Sequence, residues 1–94
     1  MATFIMLGRY SPPAINKISA ARTKQGKELI KKLGGKVVAI YGLLGKYDLL
    51  IIAEFPAIEQ AMKASIRLNK ATGIAFTTSP ALPVEAFDKM MAKK

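Results

Sequence analysis

The chain contains no cysteine and no histidine. Without cysteine there is no disulfide framework, no thiolate nucleophile and no cysteine-based zinc site. Without histidine, the commonest general base and the commonest transition-metal ligand are both missing. No glycine-rich phosphate loop or nucleophile–base pair is visible either, so neither a metal nor another cofactor is expected. Long apolar runs are absent too. No segment approaches the ~18 apolar residues of a membrane span. The opening "MATFIMLGRY" lacks a basic start and is too short in its apolar run for a secretory signal. A cytoplasmic protein with no membrane partner is the expectation.

Acidic residues are scarce. Six of them face 15 Lys and Arg, a formal net charge of +9, which invites an acidic partner such as nucleic acid. However, Lys24, Lys27 and Lys31 recur at helical spacing, as do Lys63, Arg67 and Lys70. Charge at that spacing is usually the wet face of a helix. These clusters have no interleaved aromatics and no arginine-rich arm, so nucleic acid is not expected as a partner.

Apolar residues, by contrast, make up 51% of only 94 residues. One domain spanning 1–94 with that composition carries more apolar surface than a small core can hide, which points to a homo-oligomer. Thr3 to Tyr10 reads as a strand stopped by Ser11-Pro12-Pro13. Ser11 suits an N-cap with Pro12 at the first helical position. Ile15, Ile18, Leu29, Ile30 and Leu33 fit a helical stripe, with a kink or break expected around Gly26. Gly34-Gly35 ends that helix.

Residues 36–44 and 47–55 read as strands joined at Gly45-Lys46. Residues 58–72 form an amphipathic helix, with Ile58, Ala61, Met62, Ser65 and Leu68 on its apolar stripe, closed by Gly73. Residues 74–79 are a fourth strand, and Pro80 and Pro83 frame a bend. Val84, Phe87, Met90 and Met91 suggest a short C-terminal helix docked by its apolar side, with Met62, Met90 and Met91 filling core gaps.

The order βαββαβ with right-handed crossovers predicts an α+β, ferredoxin-like fold. It has a four-stranded antiparallel sheet with both main helices on one face, plus the tail helix. Along "YDLLIIAEF", Asp48, Leu50, Ile52 and Glu54 share one face; Tyr47, Leu49, Ile51 and Ala53 share the other. The open face would show Leu50 and Ile52, with Val38 and Ile40 or their neighbours. Such a face spans roughly 330 Å² in projection, and a second copy laid sheet to sheet would cover it. Leu50, Ile52 and Glu54 are the expected interface residues. Aliphatics there also argue against an RNA-stacking sheet, which needs aromatics on that face.

The stretches "LGGKVVAIYGLLG" and "LLGKYDLLIIAEFP" resemble the GYD-domain family over about residues 4–78. The matching positions are Gly45, Tyr47, Asp48, Glu54 and Pro56. Ala57 stands where the family often has an acid, and "GIAFTTSPALP" departs from its usual last strand. The hairpin is also similar to the effector-binding domain of leucine-responsive/AsnC-type regulators. That resemblance implies a dimeric α/β barrel with a small molecule held near the Gly-x-Tyr-Asp turn.

Asp48 and Glu54, ~20 Å apart along a strand, cannot act as a carboxylate pair of the ~5–9.5 Å kind. Asp48 reads as a turn or ion-pair residue, or as a ligand group. Arg9, Tyr10, Tyr47 and Asp48 are expected to gather at one rim and line whatever site binds a small polar metabolite. The facing of the first strand leaves either Arg9 or Tyr10 in that role. The functional expectation is a homo-oligomeric binding module of unassigned activity. The alternative is a dimeric α/β-barrel enzyme that uses Tyr, Asp and Arg without a metal.

Overall fold

The computed structural model describes residues 1–92. Its strands are β1 (Ala2–Tyr10), β2 (Lys36–Gly42), β3 (Leu49–Phe55) and β4 (Ile74–Ala81), and its helices are α1 (Pro12–Ile15), α2 (Ala20–Lys32), α3 (Ile58–Thr72) and α4 (Val84–Ala92). The four strands form one antiparallel sheet in the order β2-β3-β1-β4. This is the ferredoxin-like arrangement that the order of periodic segments predicts.

Local chemistry sets most boundaries. Ser11 accepts a hydrogen bond from the Ala14 N–H at 3.2 Å and starts α1, with proline just inside it. The helical region does divide, but at residues 16–19 and not at Gly26. Ser19 caps a fresh start by accepting from the Arg22 N–H at 3.1 Å. Ile15 and Ile18 consequently leave the expected stripe and lie exposed. Gly34 (φ 79°) and Gly73 (φ 75°) end α2 and α3 in the left-handed conformation that glycine adopts without penalty.

One face of the sheet carries the core. Phe4 and Met6 from β1, with Ile51, Ala53 and Phe55 from β3, pack under Ile30 of α2 and Ala61, Ala64 and Leu68 of α3. Phe4 and Phe55 meet edge to face, with ring centroids 5.8 Å apart. The facing of the first strand is thereby settled. Ile5 and Leu7 lie on the open face, in register with Ile52 and Leu50.

Several expectations need correction. The β2–β3 connection is a six-residue loop over 43–48, closed by the Leu43 N–H donating to the Asp48 carbonyl at 2.8 Å, and is not a two-residue turn at Gly45-Lys46. A β-bulge at Val38 shifts the β2–β3 register, so Ile40 pairs with Ile51 and packs on the core side. Ala39 and Tyr41 take its place on the open face, opposite Ile52 and Leu50.

In α3, Ile58 and Met62 are exposed while Ala64 is buried. The small alanines Ala61 and Ala64 let the helix lie close on the sheet, and this turns the larger apolar side chains outward. Pro80 falls within β4, and the bend comes after it. The tail helix forms, but it buries no residue. Val84, Phe87, Met90 and Met91 are all exposed, so Met62, Met90 and Met91 fill no core gap. No helix among the described residues is long and apolar enough to cross a membrane.

Candidate functional site

The rim predicted from the strand order is built by two backbone contacts. The Asp48 N–H donates to the Gly8 carbonyl at 2.8 Å and extends the β1–β3 ladder by one step. An Asp48 carboxylate oxygen, Oδ2, then accepts from the Tyr10 N–H at 2.9 Å, in a half-buried setting. A carboxylate accepting from an amide is a charge-assisted bond, stronger than a neutral one. Asp48 thus clamps the end of β1, and its partner is the Tyr10 backbone rather than the Arg9 guanidinium.

Arg9 and Tyr10 diverge from this point, because neighbours in a strand point to opposite faces. Arg9 shares the open face with Ile5 and Leu7 and is exposed. Tyr10 turns toward the helices, where the Arg22 guanidinium sits 5.0 Å from its ring centroid. Tyr47 is half-buried in the loop, with the Lys46 ammonium 5.8 Å from its ring centroid. The backbones of Arg9, Tyr10 and Asp48 are therefore adjacent, while their side chains serve three directions. At the far end of β3, Glu54 lies in register with Lys36 and Thr3 on the open face.

Behind Tyr10, a cleft opens between α2, α3 and the covered face of the sheet. It is small, with a cavity volume of about 50 Å³. Apolar side chains make the floor, among them Ile30, Ile51, Leu68 and Phe76, while Arg22, Thr23, Lys27 and Thr72 stand with Tyr10 around it. No acidic residue lines it among the described residues. Arg22 is fixed at this place by its Nη1–H, which donates to the Ala14 carbonyl at 2.6 Å, and by the Tyr10 ring.

Gly26 lines the same cleft from the middle of α2. A Cβ added there would approach only Leu68, at 3.4 Å, and Gly26 has no left-handed backbone to require glycine. Glycine inside a helix is nonetheless less stable than alanine by about 0.5–1 kcal/mol. Sequence reasoning took Gly26 for a helix breaker, although α2 runs through it, and placed Lys27 on a solvated face, where it is indeed exposed. The available signal was the spacing of Thr23, Gly26 and Ile30, which puts one polar, one empty and one apolar position on a single helix stripe.

No group of three or more acidic side chains among the described residues could hold a metal ion. No curated protein matches the chain. Among solved structures, the crystal structure of the Mycobacterium tuberculosis leucine response regulatory protein (LrpA) is similar in fold. It aligns with a TM-score of 0.57 at 6% sequence identity and covers 87% of this chain. The chain spans 51% of that regulator's length, and a likeness at this identity concerns the fold alone. The GYD domain family model matches residues 4–91, nearly the whole chain and well beyond the central hairpin. By that match the chain belongs to the GYD domain family.

Proposed function

We propose that the chain is a homo-oligomeric binding module that pairs sheet to sheet and holds a small polar molecule at the rim, with Arg9, Tyr47 and Asp48 offering side chains and Tyr10 contributing only the backbone N–H that holds Asp48. The observation that carries this reading is the open sheet face. Ile5, Leu7, Leu50 and Ile52 form a continuous aliphatic centre there, flanked by Ala39 and Tyr41, and the core helices all lie on the opposite side. Burying a face of roughly 330 Å² at ~25 cal/mol per Å² stabilises association by several kcal/mol before its costs.

A stable interface usually buries about 800 Å² per partner. Side-chain relief enlarges the projected figure, and the exposed apolar residues of α4 are further surface that a partner could cover. Glu54 and Lys36 then belong to the polar border of the interface. The rim lies at the opposite end of the same face, with the Arg9 cation directed to the partner. The fold likeness to a leucine response regulatory protein supports a ligand-binding role by analogy. Because one Asp48 oxygen is tied to a backbone N–H, the arrangement suits holding a ligand better than transferring a proton.

Sedimentation velocity of the wild type and of Ile52→Lys tests the assembly. The wild type should sediment as a dimer or larger at micromolar concentration and the variant as a monomer, because an unpaired charge at the interface strongly opposes association. A compact wild-type monomer would refute the reading. Native mass spectrometry tests the rim. A copurified small molecule should be retained by the wild type and lost in Arg9→Ala. Retention in that variant would remove Arg9 from the site.

A further inference from the structure

We infer that α4 is an exchange arm: its apolar side docks in the groove between α3 and β4 of a second copy, whose own α4 returns the contact. The inference rests on the self-association proposed above, though not on the open sheet face. Its first support is a groove without an occupant. Ile58, Met62 and Ile66 stand one turn apart along α3, each more than half exposed. With Phe76, Thr78 and Pro80 of β4 they border a groove of about 350 Å³ that is open to solvent. The hydroxyls in it are already engaged. Ser65 and Thr78 bond to each other at 2.5 Å, and the Ser65 hydroxyl also donates to the Ala61 carbonyl at 2.9 Å. The groove therefore suits an apolar occupant, and the tie between Ser65 and Thr78 holds its two walls in place beforehand.

The second support is a helix without a partner. Val84, Phe87, Met90 and Met91 share one side of α4, all are exposed, and the helix buries nothing on its own protomer. Only residues 82–83 separate it from β4. Pro83 fixes its own φ, and its carbonyl already accepts from the Phe87 N–H at 3.0 Å, so little free chain is left to fold α4 back. The chain spans 50 Å along its longest axis, and its Cα radius of gyration is 14.2 Å. A compact domain of this length would have about 12.4 Å. An arm carried away from the body on a short hinge favours exchange between copies over docking on its own protomer.

Charge supplies the third support. Lys63, Arg67 and Lys70 run along one flank of the exposed stripe on α3. Glu85 and Asp88, two of the chain's six acids, run along one flank of the apolar side of α4. Docking sets the acidic row beside the basic one, and such complementarity fixes register and orientation. The same acids argue against a membrane surface as the occupant, because helices that lie among lipid headgroups carry Lys and Arg on their polar side. Area agrees. The open sheet face spans roughly 330 Å² in projection, against about 800 Å² per partner in a stable interface. Reciprocal docking adds one helix side and one groove from each copy, and by a twofold axis it closes after two copies.

The test exploits the absence of cysteine. Isotope-labelled Met62→Cys and unlabelled Met91→Cys, both at exposed positions, are mixed at micromolar concentration and treated with a short bismaleimide. Mass spectrometry should show the mixed covalent dimer severalfold in excess of either like-with-like product. A chain carrying both substitutions should give covalent dimers and not a cyclised monomer. Ile66→Glu and Phe87→Asp replace exposed side chains, which the monomer tolerates. Each should cut the mixed product at least about tenfold, since an unpaired charge opposes association. Asp88→Lys should cut it severalfold. Binding to anionic phospholipid vesicles should be the same with α4 as in a chain ending at Pro83. A cyclised monomer, no excess of mixed product, undiminished product in any of the three variants, or vesicle binding that depends on α4 would each overturn the inference. If Ile52→Lys dissociates the assembly while no mixed product forms in its parent, the exchange falls and the sheet pairing stands. Mixed product that survives Ile52→Lys on both copies supports the exchange whatever becomes of the sheet pairing.

Discussion

The two faces of the sheet are almost equally apolar in their central strands, yet they meet different fates. On the covered face, Met6, Ala53 and Phe55 are fully buried under α2 and α3. On the open face, Ile5, Leu7, Leu50 and Ile52 are only half-buried, each sheltered by its neighbours in the sheet. The two main helices repeat the contrast with the tail. Helix α3 buries Ala61, Ala64 and Leu68, whereas α4, with an apolar side of similar prominence, buries nothing. Hydrophobicity thus decides which surfaces need cover, while chain connectivity decides which of them one protomer can cover itself. Only two crossover helices are available, and right-handed crossovers put both on the same side.

The contrast breaks most readily at Phe55. Phe55→Ala empties the centre of the covered face and should cost about 3–5 kcal/mol in denaturant unfolding. A loss below about 1 kcal/mol would mean that this face is not the true core. Gly35→Ala probes the same packing from the backbone side. A Cβ there would lie 2.8 Å from the Phe55 ring and 2.9 Å from the Ile30 side chain, so overpacking of about 1–3 kcal/mol is expected. A variant as stable as the wild type would show a looser core than described.

At the rim, Asp48→Ala removes the acceptor for the Tyr10 N–H and should cost about 1–2 kcal/mol. Asp48→Asn should cost less, because its amide oxygen can still accept. Equal losses for the two would point to charge, and not to this bond, as the source of the effect. On the other side of the comparison, Phe87→Ser should leave monomer unfolding within about 0.5 kcal/mol of wild type. A larger loss, measured at protein concentrations that favour the monomer, would show that α4 docks on its own protomer after all.

Punctuation residues made much of the fold legible. Ser11-Pro12, Gly34 and Gly73 each carry a local reason to start or stop an element, and both ends of α3 follow from Pro56 and Gly73 without tertiary information. The β-bulge was not legible, since Val38 looks like any other residue of an apolar strand and one extra residue moves Ile40 from one face to the other. The position of α4 was likewise hidden. Its pattern shows an apolar side but cannot say whether a surface lies within reach. For the rim, strand order was enough to bring Arg9, Tyr10 and Asp48 together along the backbone. Which side chain turned inward depended on the core facing of β1. The cleft was least visible, because α2, α3 and all four strands converge on it from distant parts of the chain.

The irregularities at the two outer strands bear on how copies of this protein behave when crowded. β2 and β4 are the ends of the sheet, each with one side free to pair. The bulge at Val38 twists the first of these, and Lys36 places a charge beside it. Pro80 removes a donor from the second. These are the devices by which sheet proteins discourage open-ended, strand-by-strand growth into fibrils. With both edges blunted, the sticky surface left to the molecule is a face, and contact through a face by a twofold axis closes on itself after two copies. On the proposed face-to-face pairing, association would therefore end in finite particles. Repairing the bulge by deleting Val38, or replacing Pro80 with valine, would reopen the route to insoluble assemblies without touching the interior.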